Sequence, residues 1–248
     1  MARRRFHCST LDEEGAWLHG DAAAHAAVVL RAAVGQQYEV ACNGRVYLGT
    51  ITTISPVAVC FALAAELSVE PETDSLTLAA AIIKFDRFEW LVEKATELGV
   101  GCILPLVSRR TASHLAQAAG KRVERWRRVV HQAAEQSRRS TVPTVQAPQT
   151  LAVFLESRSA ASPTFWLAES GPAQALLLAL NDRKGSGPFT VVVGPEGGWT
   201  EEESTAAGSA GLYHVTLGDG ILRAETAALA ALAVVQAWRA LGANAGRT

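Results

Sequence analysis

Phe189-Thr190-Val191-Val192-Val193-Gly194-Pro195-Glu196-Gly197-Gly198-Trp199-Thr200-Glu201-Glu202-Glu203 is the stretch on which the fold turns. Its first five residues form an unbroken apolar, β-branched run, the pattern of a strand buried on both faces of a parallel sheet. Gly194, Gly197 and Gly198 follow at once, letting backbone approach a ligand closely, at an entropic cost that ordinary packing rarely requires. Pro195 ends the strand pairing. Thr200 and Glu203 make a T-x-x-E capping box, so a helix starts at Glu201. In open α/β sheets ligands sit beyond the carboxyl ends of strands, where this loop falls. The three acids of the first helical turn complement its dipole but repel a phosphate. Neither a G-x-x-x-x-G-K-[ST] loop nor a G-x-G-x-x-G after a strand is present. An adenosine-type ligand held by backbone groups, without a phosphate, fits this loop. On spacing alone, a plain tight turn fits equally well.

Downstream, His214 to Leu217 reads as a short strand, and Gly218-Asp219-Gly220 supplies a second glycine turn. Ile221-Leu222-Arg223-Ala224-Glu225-Thr226-Ala227 then opens a helix. A carboxylate is favoured at such a start, whereas Arg223 needs another reason to be there. From Ala227 to Trp238 the helix is apolar on nearly every face, so it is either deeply buried or shared with a second subunit.

Upstream the same alternation continues. SLTLAAAII (75–83), CILPLV (102–107) and FWLA (165–168) read as strands. Helices are expected over 86–98, 121–136 and 172–180; in the first, Phe88, Leu91, Val92, Ala95 and Leu98 share a face and Gly99 provides the stop. This is an α/β chain with a mostly parallel sheet flanked by helices. The first seventy residues differ. Arg45 to Phe61 is rich in Val, Ile, Thr and aromatics and is broken by Gly49 and Pro56, which predicts short strands. One helix is expected there, over 21–33, centred on Val28, Val29 and Leu30. The domains are therefore read as 1–72, small and β-rich, and 73–248.

With 49% hydrophobic and 19% charged residues, the 248-residue chain has enough apolar mass for a sizeable core. A net charge of −1 says nothing global in favour of nucleic acid, but arginines and lysines cluster at 3–5, 109–110, 121–128 and 138–139. Cys8, Cys42, Cys60 and Cys102 lie too far apart for a zinc motif or a disulfide framework. The apolar run 226–238 is too short to span a bilayer, and the arginines at 3–5 lead into no apolar signal region. A cytoplasmic protein without a membrane partner is expected.

The chain resembles the RsmE-type 16S ribosomal RNA N3-uridine methyltransferases of the SPOUT superfamily. The resemblance is carried by KFDRFE (84–89), EKATELGV (93–100), AAEQSR (133–138), GPEGG (194–198), Leu217-Gly218 and ILRAETA (221–227). A weaker match at His25, Val29-Leu30-Arg31 and Gly35 aligns the front segment with that family's PUA-like RNA-binding domain. The resemblance implies a trefoil knot in the C-terminal domain, a homodimer and S-adenosylmethionine as cofactor. It implies that Gly194, Glu196 and Gly198 line one side of the cofactor and Leu217, Gly218, Ile221 and Leu222 the other, with Leu167 a further candidate. Two positions depart from the family pattern: Phe85 replaces a glycine and is expected to alter a loop, and Asp219-Gly220 replaces a basic or proline-containing pair beside the cofactor.

The reaction this implies is methyl transfer to N3 of a uridine in 16S ribosomal RNA, within the small subunit. That nitrogen carries a proton at neutral pH, so the site must supply a base or a cation that stabilises the uridinate. Arg223 and Glu225 are the candidate catalytic pair, although Glu225 equally suits a helix cap. Arg31, Lys84, Arg87, Arg109, Arg138 and Arg139, helped by Arg3 to Arg5, are candidate phosphate contacts. A SPOUT enzyme acting on another ribosomal or transfer RNA base, and a non-catalytic RNA-binding ribosome-assembly protein, are the alternatives. No metal site is expected.

Overall fold

A computed structural model describes residues 4–68, 76–159, 161–169, 171–182 and 187–242, with the backbone followed to 245. The expected domain boundary at 72/73 and the Arg3 contact lie outside the described residues. The chain divides into two compact units, Met1–Glu72 with His131–Val142, and Thr73–Val130 with Pro143–Thr248.

Unit 1 is built on a six-stranded sheet of order β1-β4-β5-β6-β3-β2, formed by β1 (Arg5–His7), β2 (Thr10–Leu11), β3 (Ala16–His19), β4 (Gln37–Cys42), β5 (Arg45–Ile54) and β6 (Ala58–Glu66). Only β1 and β4 run parallel; the other pairs are antiparallel. Alternate residues of these strands face one core, where Phe6, Val40, Ile51, Val59 and Phe61 are fully buried. The helix expected over 21–33 is much shorter. Helix α1 (Gly20–Ala24) passes into a single π turn (His25–Val29), and Arg31 leaves it at φ +52°. Val28 and Val29, expected at its apolar centre, are 62% and 65% exposed, so nothing holds a longer helix down.

Segment 131–142 is tied to this sheet by charge. The Glu39 carboxylate accepts from Arg5 Nε at 3.1 Å and Nη2 at 2.9 Å, and from Arg138 Nε at 3.1 Å. Arg5 and Glu39 are both buried, and such a pair persists only because its geometry and extra hydrogen bonds offset desolvation.

Unit 2 holds an entirely parallel sheet, β10-β8-β7-β13-β11-β14-β12, with β9 also pairing to β8. Its strands are β7 (Leu76–Ala81), β8 (Cys102–Val107), β9 (Thr144–Val145), β10 (Gln149–Thr150), β11 (Thr164–Leu167), β12 (Gln174–Ala175), β13 (Phe189–Val193) and β14 (Tyr213–Thr216). The quoted apolar run is thus the central strand, buried between β7 and β11 as its unbroken hydrophobicity requires. Helices α2 (Phe85–Glu97), α3 (Ser113–Ala119), α4 (Val123–Gln136), α5 (Leu151–Ser157), α6 (Leu176–Asn181), α7 (Glu201–Ser209) and α8 (Ala224–Ala245) complete the unit; the end of α4 belongs by its contacts to unit 1.

Helix α2 buries Phe88, Leu91, Val92 and Ala95, and Gly99 at φ +82° turns the chain out of it. Phe85 does not merely alter a loop. It is the first residue of α2, its ring lies 6.2 Å from that of Trp126, and the Arg122 guanidinium sits 4.6 Å above it. The helix expected over 172–180 begins only at Leu176, because Gln174 and Ala175 first pair with β14. In α8 the buried residues Ala228, Ala231, Leu232 and Val235 form one stripe at helical spacing, so this helix is packed on one side and is not enclosed. No helix among the described residues is long and apolar enough to cross a membrane.

Candidate active site

Three parallel strands end side by side, and the loops leaving them build the site. Beyond β11, β13 and β14 lies a cavity of about 330 Å³ whose walls include Leu167, Val193, Gly194, Leu217, Gly218 and Leu222. Six of the eight expected cofactor residues line it: Leu167, Gly194, Leu217, Gly218, Ile221 and Leu222. Ile221, at 94% exposure, forms the rim. Gly218 has φ +124° and open space where a Cβ would stand, held by the Thr216 hydroxyl, which accepts from its N–H at 3.2 Å and donates to its carbonyl at 3.0 Å.

Glu196 and Gly198 do not line this cavity. Glu196 points to α2, where its carboxylate pairs with Arg87. Gly198 is buried at φ +70°, and a Cβ there would run into the Glu169 carboxylate. The glycine loop is set by two partners the sequence did not single out. Trp199 stacks on Trp166 and approaches Gly194 so closely that a Cβ on that glycine would lie 3.0 Å from the indole. Arg110 donates to the Gly197 carbonyl. A tryptophan directly after the last glycine was the available signal for the first of these.

The expected capping box is present. The Thr200 hydroxyl accepts from the Glu203 N–H at 3.2 Å, and Glu203 accepts from the Thr200 N–H at 3.0 Å. Glu203 also accepts from the Arg109 N–H at 2.7 Å, fixing the loop after β8 beside α7.

The lining carries charge of one sign. Glu169 and Asp219 face the cavity, and no lysine or arginine does among the described residues. Such a site favours a cationic ligand over an anionic one. The Asp219-Gly220 departure falls in this wall, and Asp219 supplies one of its two carboxylates.

On the other side of segment 221–227 a second hollow is lined by Asp86, Arg87, Trp90, Arg223, Glu225 and Thr226. The segment divides between them: Ile221, Leu222, Ala224 and Ala227 line the cavity, while Arg223, Glu225 and Thr226 line this cleft. Arg223 is exposed. Glu225 is only 7% exposed, in the first turn of α8; its Oε1 lies 4.0 Å from Arg87 Nη1, and its buried Oε2 has no hydrogen-bond partner among the described residues. A buried carboxylate oxygen without a donor is costly and therefore uncommon.

The expected phosphate contacts divide. Arg31 and Arg138, in unit 1, and Lys84 and Arg109, in unit 2, are exposed. Arg138 is nevertheless committed to Glu39. Arg139 is 5% exposed, which removes it from any surface a phosphate can reach. Arg5 is likewise buried in its pair with Glu39, and Arg87 is half-buried between two carboxylates.

A family model described as an RNA methyltransferase domain matches residues 70–236. The chain belongs to this RNA methyltransferase family. Among RNA methyltransferases of known sequence, ribosomal RNA small subunit methyltransferase E of Mycobacterium bovis is 31% identical over 243 residues, 95% of this chain and 92% of that protein. The Synechocystis enzyme of the same name is 38% identical over 164 residues, and that match spans 65% of this chain but only 53% of the relative. Among solved RNA methyltransferase structures, the Neisseria gonorrhoeae small subunit methyltransferase E bound to S-adenosyl methionine superposes with a TM-score of 0.82 at 30% identity, covering 95% of this chain and 97% of that one. A Legionella pneumophila methyltransferase in complex with the same cofactor gives 0.79 at 27% identity, covering 96% and 98%. The resemblance read from the sequence to the RsmE type is borne out.

Proposed function

We propose that this protein is an S-adenosylmethionine-dependent methyltransferase that modifies N3 of a uridine in 16S ribosomal RNA. The observation that carries the reading is Glu225, which lines a cleft sharing a wall with the cavity and keeps a buried carboxylate oxygen, Oε2, without a hydrogen-bond partner among the described residues. The cavity suits the cofactor: Leu167, Val193, Leu217 and Leu222 offer apolar walls to the adenine, the glycine turns offer backbone groups to its polar edge, and Glu169 and Asp219 match a cationic ligand. A phosphate-dependent nucleotide enzyme is disfavoured by the same two carboxylates. When bound, the cofactor supplies an electrophilic methyl group on a sulfonium.

The chain's own residues then have three tasks. The Glu225 carboxylate accepts the N3 proton of the uracil, because the protonated nitrogen is a poor nucleophile. Arg223 faces the negative charge that develops on the base. The walls of the cavity and cleft hold donor and acceptor in line, which supplies much of the acceleration for a simple displacement. The target base has to leave its stack to reach the cleft.

RNA is held through its backbone by Arg31, Lys84 and Arg109, with the β-rich unit 1 acting as a PUA-like RNA-binding domain. The sheet of unit 2 is the knotted SPOUT domain. Two copies associate in the cytoplasm, covering apolar surface that includes Ile221 and Leu241, which are 94% and 69% exposed.

The test is direct. Purified protein, labelled S-adenosylmethionine and small ribosomal subunits lacking the modification are incubated, and the RNA is digested and analysed by mass spectrometry. Appearance of 3-methyluridine is expected. Label in another nucleoside moves the acceptor, and cofactor binding without transfer makes the protein a non-catalytic RNA-binding module.

A further inference from the structure

Arg87 occupies a position that no phosphate contact requires. It lies on the first turn of α2, yet its guanidinium bonds Glu196, a residue 109 positions away in the glycine loop. The same Nη1 lies 4.0 Å from Oε1 of Glu225, at the start of α8. One cation thus joins the loop after β13 to the helix that carries the candidate base. Its side chain is about one third exposed and flanked by two carboxylates, so it is already neutralised before any RNA arrives.

The consequence for Glu225 is geometric. A carboxylate has two oxygens; Arg87 Nη1 lies nearest Oε1, and Oε2 is left buried without a partner among the described residues. A lysine in place of Arg87 carries the charge, but as a point charge on a flexible stem it holds the site between the two carboxylates less rigidly.

We propose that Arg87 is a positioning residue for methyl transfer. It holds the Glu225 carboxylate in place beside the cleft, and through Glu196 it couples that placement to the loop beside the cofactor cavity. The inference rests on the reading that Glu225 accepts the acceptor's proton.

The test uses the full-length protein with Arg87→Gln, Arg87→Lys, Glu225→Gln and the Arg87→Gln/Glu225→Gln double variant. Wild-type transfer to small-subunit RNA is measured first; absence of transfer there sinks the underlying reading and not this step. Positioning predicts that Arg87→Gln lowers kcat about tenfold or more at saturating RNA and cofactor, with the salt dependence of the RNA KM unchanged. Arg87→Lys recovers part of kcat. The double variant is no slower than Glu225→Gln alone, since a positioner has nothing left to position. Three results overturn the proposal: an unchanged kcat with a weaker, less salt-sensitive RNA KM, which makes Arg87 a phosphate contact; losses that simply multiply in the double variant; or failure of both Arg87 variants to fold, which makes the residue structural.

Discussion

The indole of Trp199 stacks on that of Trp166 with ring centroids 3.9 Å apart, while its Nε1–H donates to the Leu167 carbonyl at 3.1 Å. One side chain therefore locks the glycine loop of β13 onto the end of the neighbouring strand β11. Because Gly194 leaves no room for a Cβ beside this ring, the loop's shape is a packing outcome as much as a property of its glycines.

Trp199→Ala is expected to cost about 2–4 kcal/mol, from lost burial and the lost aromatic pair. Trp199→Phe keeps the stack and loses only the hydrogen bond, about 1 kcal/mol. Thermal melts with and without S-adenosylmethionine separate the two. The alanine variant should lose most of its cofactor-induced stabilisation, and an undiminished shift would show that the cavity does not depend on this lock.

Gly198→Ala combines a left-handed backbone at φ +70° with a collision against the Glu169 carboxylate. The backbone alone costs about 1–2 kcal/mol. Since Glu169 lines the cavity, cofactor affinity is expected to fall as well. Titration calorimetry reads this out, with Gly120→Ala, which meets nothing within 4 Å and lies outside the cavity, as the comparison.

For Glu225→Gln, kcat should drop by about 100-fold or more while cofactor affinity changes little, because a general base contributes roughly that factor. A variant that still transfers at the wild-type rate would leave Glu225 as a helix cap only. Arg223→Ala should also abolish transfer with cofactor affinity retained; lost affinity instead places Arg223 in the cofactor site.

A pH effect belongs to unit 1. Burial raises the Glu135 carboxyl from 4.5 to about 7, against the opposing pull of Arg4 and of a hydrogen bond from the His7 backbone. Between those values the folded protein retains a proton that the unfolded chain releases, so this group's contribution falls as pH rises through the window, by at most about 3 kcal/mol. His131 acts in the opposite sense. Its pKa is lowered by burial and then by Arg4, so its contribution grows as pH rises toward 6.5. Melting temperatures from pH 5 to 8 should show the downward component in the wild type and not in Glu135→Gln.

What could be read from the sequence followed its short-range patterns. The buried central strand, the capping box of Thr200 and Glu203 and the apolar face of α2 all repeat at the spacing their elements impose, so a linear reading finds them. The two glycine turns were legible as a pair, and most of their expected residues do line one cavity. Arg87 and Arg139 were not legible. Both looked like surface cations, but partners for a charge are chosen by the fold, and Glu196 stands far along the chain from Arg87. Val28 and Val29 failed for the converse reason: helical propensity proposes a helix, and without a surface to cover the chain leaves it within two turns. Gln174 and Ala175 joined an edge strand too short to leave a period.

The division of 221–227 between two pockets has an evolutionary consequence. Neighbouring codons of one short segment write to different pockets: Leu222 and Ala224 to one, Arg223 and Glu225 to the other. Substitutions at one set change the lining of one pocket and leave that of the other in place. Inserting or deleting a single residue turns the following helical positions by about 100° and disturbs both linings at once. The segment is therefore constrained in its length as well as in its letters.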